Sequence, residues 1–409
     1  MEAFKGGDPS TGAACPPPLE LGERLSIVLF VTWLFFLGFL ARVMFGPLLP
    51  AMAGSLGLTH AQAGGLFFML AAGFFLGQTS SGFLSSRLRH RGAMILSAAG
   101  VGAALLPFPF LGGSTAGVRL LMFFVGVGAG IHVPSAIATI TASVRREDWG
   151  KALGIHQSAP NLSFVLAPLM AEFFLRKQIW SLFPAVLGAF CLMSAALFAR
   201  LGRGGELYGS APGFGAVREI LWNRSYWIML FLFTLGIGGG AGLYAMLPLY
   251  LINEVHLSSG AANTLLGLSR VSGLFMPFAA GLLADRIGEK KAIGLVLAAG
   301  GVATVGLGAS SGGWLIAALF VQPVLLACFF APAFSALSRT VSPTLRSMAT
   351  SLTVPSAFFL GVGVVPWLLG YAGEIRSFSW GITALGLLIT VGAASVSGLR
   401  LRTEQEEGC

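Results

Sequence analysis

Apolar residues run through this chain in blocks of about twenty, separated by short segments that hold nearly all of the charge. A block of that length, coiled as an α-helix, crosses a hydrocarbon core of about 30 Å. The pattern predicts helices over 25–50, 62–84, 92–111, 116–143, 150–175, 179–200, 225–251, 261–284, 290–310, 314–337, 347–371 and 378–399. The expected fold class is therefore an all-α membrane protein with twelve transmembrane helices. Residues 1–24 are rich in Gly, Pro and Ser, include Pro16, Pro17 and Pro18, and predict a disordered tail. The first apolar run outlasts a signal-peptide core and ends in no small-residue cleavage site, so it is expected to stay in the chain as a helix. The longest polar stretch, 201–224, separates six helices at 25–200 from six at 225–400, and 401–409 forms a second tail.

Composition agrees with this reading. Of 409 residues, 55% are hydrophobic and only 10% charged, against about 25% charged in soluble chains. The net charge of +9 would suggest nucleic acid in a soluble domain. Here the basic residues sit in short loops, so the bilayer is the expected partner and nucleic acid is not. Segments on the side of the N-terminus hold 19 Lys and Arg, and those on the other side hold four. The positive-inside rule then places both termini in the cytoplasm, with a bacterial inner (plasma) membrane as the expected location. The 57 glycines follow no collagen period and suit close helix packing in lipid. Cys15, Cys191, Cys328 and Cys409 have no metal-ligand spacing. The chain has neither a phosphate-binding Gly-x-x-x-x-Gly-Lys-Ser/Thr loop nor a His-Glu-x-x-His pair. No enzyme, cofactor or metal is expected, and nothing requires more than a monomer.

The two sets of six helices resemble each other. Gly82, Phe83, Leu84, Ser85, Ser86 and Arg87 match Gly281, Leu282, Leu283, Ala284, Asp285 and Arg286 at an offset of 199. Lys151/Arg346, Pro160/Pro355 and Phe164/Phe359 match at an offset of 195. Such duplication is typical of secondary transporters. The run from Gly281 to Lys291 also resembles the loop motif of the major facilitator superfamily, Gly-x-x-x-Asp-Arg-x-Gly-Arg-Lys/Arg. That resemblance implies two pseudo-symmetric six-helix bundles and no enzymatic activity. It also implies a gating role for Gly281, Asp285 and Arg286 in cytoplasmic contacts that steady the outward-open state. The first-half copy departs from the motif: Ser86 stands where the Asp belongs and Arg89 where the second Gly belongs. Its segment 87–91 reads equally as a latch or as a simple positive-inside loop. The stretch from Arg42 to Pro50 is similar to the first helix of organophosphate/phosphate exchangers, whose Arg lines the cavity. Arg270 sits where oxalate, monocarboxylate and nitrate carriers of the superfamily place a substrate-binding Arg. The combination matches neither group, so no substrate carries over.

The residues themselves point to an anion. An Arg at the centre of a membrane helix costs about 2.5–3.5 kcal/mol on insertion scales, and Arg42 and Arg270 both lie inside predicted helices. No Asp or Glu lies mid-helix to pair with them. Gly38 and Gly46 flank Arg42 at four residues, and Gly267 and Gly273 flank Arg270 at three, leaving room for a solute or a close helix. Guanidinium binds carboxylate or phosphate through paired hydrogen bonds. The bland alternatives are snorkelling to the interface or structural pairing. His132, with Gly128, Ala129, Ser135 and Ala136 on its face, is the candidate for carrying a coupled proton; a neutral His bonded across helices is the alternative. Gln157 and Asn161 form an i, i+4 polar pair on helix 5, suited to substrate contact or to interhelical bonding. Tyr244 follows the glycine-rich run 238–242, which suits either a bend for gating or close packing.

The expected function is alternating-access transport of a small organic anion, a carboxylate above all, by proton symport or by anion exchange. The substrate-binding residues would be Arg42, Arg270, Gln157, Asn161 and Tyr244. Two rivals stand beside it: an exporter of drugs or amphipathic metabolites, and a transporter-like sensor without turnover.

Overall fold

The computed structural model describes residues 19–209, 214–274, 276, 284, 286–342 and 345–401. Their helices, numbered in order, are α1 (Leu21–Val43), α2 (Phe45–Leu56), α3 (His60–Leu105), α4 (Phe108–Leu111), α5 (Thr115–Ser143), α6 (Trp149–Arg176), α7 (Leu182–Leu201) and α8 (Phe214–Leu221). The second half has α9 (Arg224–Ile237), α10 (Leu243–Asn253), α11 (Ser259–Leu268), α12 (Glu289–Ala309), α13 (Gly312–Ala327), α14 (Phe330–Ser338), α15 (Arg346–Phe358), α16 (Val365–Ile375) and α17 (Phe378–Gly392). Among the described residues, ten helical stretches are long and apolar enough to cross a bilayer. One of them, His60–Leu111, has 52 residues, roughly 80 Å of helix, and must cross twice. The crossing expected over 261–284 is described only in part, as α11 and the turn that follows it. The architecture is the expected all-α fold of twelve transmembrane helices.

The departures from the expected helices have physical causes. The first crossing runs to Leu56, with its break at Met44. Pro47 explains the break: its ring displaces the carbonyl four residues back, at Val43. The tail expected to reach residue 24 ends earlier, since α1 starts at Leu21, whose N–H bonds the Asp148 carboxylate at 3.2 Å. Leu19 also pairs with the backbone at Ser143 and Arg145. The stretch expected as a loop, 201–224, contains the helix α8. The helix expected over 261–284 breaks at Ser269–Arg270 into a 3-10 turn, Val271–Leu274. Residues 1–18 and 402–409, most of the two predicted tails, lie outside the described residues.

Glycine sets the tightest helix pair. A Cβ on Gly73 or Gly77 of α3 would fall 1.9 or 2.1 Å from a carbonyl oxygen of α5, and one on Gly126 of α5 would fall 2.1 Å from Leu70 of α3. The two backbones are in direct contact, the use that small residues serve in lipid.

The loop between the second and third crossings also differs from expectation. Here α3 bends at Arg89, with φ 58° and ψ 168°. Its counterpart at the 199-residue offset, Gly288, has φ 83° and ψ 150°. The same turn is thus made once with glycine and once with arginine. Residues 205–209 brace the strained copy. Arg91 N–H bonds Gly205 O at 2.8 Å, His90 N–H bonds Leu207 O at 3.0 Å, and Gly209 N–H bonds Ser85 O at 3.1 Å. Glu206 pairs with Arg91 at 3.1 Å and Arg89 at 3.4 Å, supplying a carboxylate where the motif's Asp is missing.

Candidate functional site

On α1, Phe35, Phe39 and Arg42 recur at i, i+4 and i+7 and form one stripe. Arg42 is 6% exposed. Its guanidinium carbon lies 4.4 Å from the Phe39 ring centroid, 4.5 Å from Phe74 and 5.4 Å from Phe358. Among the described residues it has no hydrogen-bond or ion-pair partner, and its Nε is buried and unpaired. Neither snorkelling nor a carboxylate explains it. Aromatic faces attract the cation, by about 2 kcal/mol or more when desolvated. They accept no ordinary hydrogen bond, so the N–H edge of the guanidinium keeps its donors.

Arg270 repeats the arrangement from the second half. It is 8% exposed, and its guanidinium carbon lies 4.9 Å from the Tyr244 ring and 5.2 Å from Phe164. One N–H bonds the Gly240 carbonyl at 3.4 Å, and its Nε is unpaired. That carbonyl, in the π-helical turn Gly238–Gly242, also accepts the Leu243 N–H. A π turn releases main-chain acceptors from the regular ladder. Gln322 takes the adjacent one, Gly239 O, at 2.8 Å and also reaches Thr304 Oγ1 at 3.3 Å. A second π turn, Phe359–Val364, lies against the first, and a Cβ on Gly242 would fall 2.1 Å from Gly361 O. The glycine run therefore forms an irregular turn and allows close packing. Pro355 and Pro366 bracket the second π turn.

Phe164 and Tyr244 pack edge to face with centroids 4.8 Å apart, and the Tyr244 hydroxyl donates to Phe164 O at 3.4 Å. The two rings lie beneath Arg270 and also wall a cavity lined by Arg42, Phe39, Phe67, Phe358 and Val362. The cavity measures about 30 Å³, room for a water or two and too little for an organic solute. Arg42 thus lines the cavity on one side of the Phe164–Tyr244 ring pair, and Arg270 lies over the same two rings. Asn161 Oδ1 faces the second half beside Gly273, 3.7 Å from where a Cβ would stand. Gln157, one turn nearer the end that carries the chain termini, is exposed. Arg286 is exposed at that end, while Gly281 and Asp285 lie outside the described residues.

His132 does not line the cavity. It is buried in the first half, stacked on Phe35 at 5.5 Å, and His156 stacks on Phe35 at 4.4 Å. His156, Phe164, the rings around Arg42 and Gln322 carry more of this site than the sequence suggested. The i, i+4, i+7 stripe on α1 was a usable signal for Phe35 and Phe39; the other rings had none.

The halves close on each other at the end away from the termini. Glu374 accepts the Ala61 N–H at 2.7 Å, at the N-terminus of α3. Glu172 accepts from Ser259 Oγ at 3.1 Å and Asn263 Nδ2 at 3.0 Å, at the N-terminus of α11. Asn253 and His60 meet at 3.3 Å. A carboxylate on the first turn of a helix is also favoured by the helix dipole.

A family model described as Major Facilitator Superfamily matches residues 31–307 and 238–408. A search of curated proteins gives no match. Among solved structures, a bacterial homolog of the human lysosomal transporter Spinster, inward-facing and occupied, aligns with TM-score 0.75 and 14% identity, over 93% of this chain and 99% of that one. A D-xylose–proton symporter aligns with TM-score 0.72 and 18% identity, over 93% and 98%. A POT family transporter in complex with 5-aminolevulinic acid aligns with TM-score 0.73 and 15% identity, over 92% and 96%. At these identities the likeness speaks for the fold alone.

Proposed function

The chain belongs to the major facilitator superfamily, and from that premise we propose that it carries a small organic anion, a carboxylate above all, with Arg42 and Arg270 clamping the anionic group. It is a multi-pass membrane protein of a secondary-transporter family and not an enzyme. The observation that carries the anion reading is the pair of buried guanidinium groups. They come from opposite halves, have no carboxylate partner among the described residues, and share the Phe164–Tyr244 wall. Rings hold each cation in place without neutralising it. An anion entering between them supplies the hydrogen-bond acceptors that the rings lack. The otherwise apolar lining favours a solute with an apolar body, and two fixed positive charges disfavour cations.

With the termini in the cytoplasm, the Glu172 and Glu374 contacts close the outer end and Gln157 faces the inner one. The present conformer is then closed at the outer end, with its central cavity walled by its own side chains. Rocking of the halves about this site widens it and exchanges its access. Asn161 and Gln157 would meet the solute on its way to the cytoplasm, and Asp285 and Arg286 would steady the opposite state.

The test is thermal stability of the purified protein against a panel of small anions, beside Arg42→Gln and Arg270→Gln. A ligand at a hundred times its dissociation constant adds about 2.7 kcal/mol. An anion-specific rise that disappears in either variant is expected. A rise only with neutral or cationic amphipathic compounds would replace this reading with an exporter of such compounds.

A further inference from the structure

Two histidines are buried side by side behind the anion site. His132 on α5 is 3% exposed and His156 on α6 is 1% exposed. Their ring centroids are 6.0 Å apart, and Phe35 of α1 stacks on both, at 5° to His132 and 19° to His156. His132 Nε2 and both nitrogens of His156 are buried without a hydrogen-bond partner. The backbone of Val31 lies within hydrogen-bonding reach of the His132 ring. Buried polar atoms nearly always find partners. Among the described residues, these two adjacent imidazoles keep three ring nitrogens without a protein partner.

We infer that His132 and His156 form the site of a coupled proton, taken up with the anion and released with it, so that the carrier is an anion–proton symporter. The inference rests on the anion reading above. The stripe on α1 provides the physical link: Phe35 touches both histidines, Phe39 packs edge to face on Phe35 at 5.9 Å, and Arg42 lies over Phe39. Arg42 and the histidine pair thus stand at the two ends of one aromatic stripe, and like charges placed at both ends repel. An anion on Arg42 cancels that repulsion, and the proton can then settle on an imidazole nitrogen. Linkage makes the effect reciprocal, so a proton on the pair tightens the anion by the same factor. The imidazolium so formed lies over the Phe35 ring face, which attracts it.

The charge balances. A monoanion and one proton cross together with no net charge moved. The proton adds to an unpaired imidazole nitrogen from water on one side and leaves that nitrogen for water on the other. The groups facing the pair are few. Arg42 comes from α1, and the two histidines face each other from α5 and α6. From α3, His90 is held on Ser135 Oγ at 3.3 Å, one turn along α5 from His132. Asp148 and Lys151 at the start of α6 pair with each other at 3.0 Å.

The experiment uses the full chain in liposomes with radiolabelled benzoate, lactate and phosphate as probes. It compares two rates: accumulation driven by an inward proton gradient, and counterflow at equal pH on both sides. Wild type is expected to accumulate a probe at least tenfold faster with the gradient than without it. In His132→Gln/His156→Gln, and in His156→Asn alone, the ratio of gradient-driven accumulation to counterflow is expected to fall at least tenfold. Counterflow also reports that the variants are folded. A wild type indifferent to the gradient, or a double variant with the parental ratio, overturns the inference. If no probe shows counterflow in wild type, the anion reading fails first and this inference falls with it.

Discussion

Truncating Glu172 to alanine removes a carboxylate that joins α6 of the first half to α11 of the second. The residues it leaves behind set the magnitude. Asn263 is 1% exposed, and its amide nitrogen would keep only the Ser259 hydroxyl at 3.4 Å. Its oxygen already has no partner. Leaving a buried donor unsatisfied costs about 1–3 kcal/mol. The Arg176 ion pair adds little, because the Arg176 side chain is 74% exposed. These bonds form only while the two halves touch, so the whole cost falls on the closed arrangement. A bias of that size shifts a two-state equilibrium by about 5- to 150-fold toward opening at this end. Glu172→Gln keeps one acceptor oxygen and loses the charge, and its expected shift is smaller, about fivefold. The measurement is a distance distribution between nitroxide labels at Lys177 and Arg376, which are exposed at this end on opposite halves. The background would lack the four native cysteines. The long-distance population should rise in the order parent, Gln, Ala. An alanine variant with the parental distribution would refute the reasoning and reduce Glu172 to a surface ion pair.

Two further outcomes follow from backbone geometry. A Cβ on Gly242 would stand 2.1 Å from the Gly361 carbonyl, whereas one on Gly240 meets nothing within 4 Å. Gly242→Val must push the two π turns apart and is expected to cost about 1–3 kcal/mol or more, read as a lower Tm, while Gly240→Ala leaves Tm unchanged or raised; equal effects at the two sites would contradict the packing. Arg89 occupies a backbone region that favours glycine, at the position where the second half uses Gly288. Arg89→Gly is therefore expected to raise Tm despite losing an exposed contact with Glu206, and a lower Tm would show that the bracing by 205–209 depends on the Arg89 side chain.

The amino-acid sequence by itself determined the number of crossings and the two most expensive residues. Bilayer thickness imposes one length on every spanning block, so apolar runs report helices directly. An Arg inside such a run is conspicuous because it is costly; in the fold, Arg42 lines the cavity walled by Tyr244, and Arg270 lies over the Tyr244 ring. The glycine run before Tyr244 likewise announced an irregular helix. The tertiary structure alone decided what surrounds these residues. Thirty-three phenylalanines look alike in the sequence, since lipid-facing and core-facing rings satisfy the same apolar pattern. That Phe74 and Phe358 face Arg42, or that Phe164 lies under Arg270, depends on how helices far apart in the chain are rotated against each other. His156 reads as a residue near a helix end until Phe35 places it beside His132. The partners of Glu172 and Glu374 likewise come from the opposite half, which brings a helix N-terminus to each. Local composition fixes which residues must leave water; only packing fixes which of them then meet.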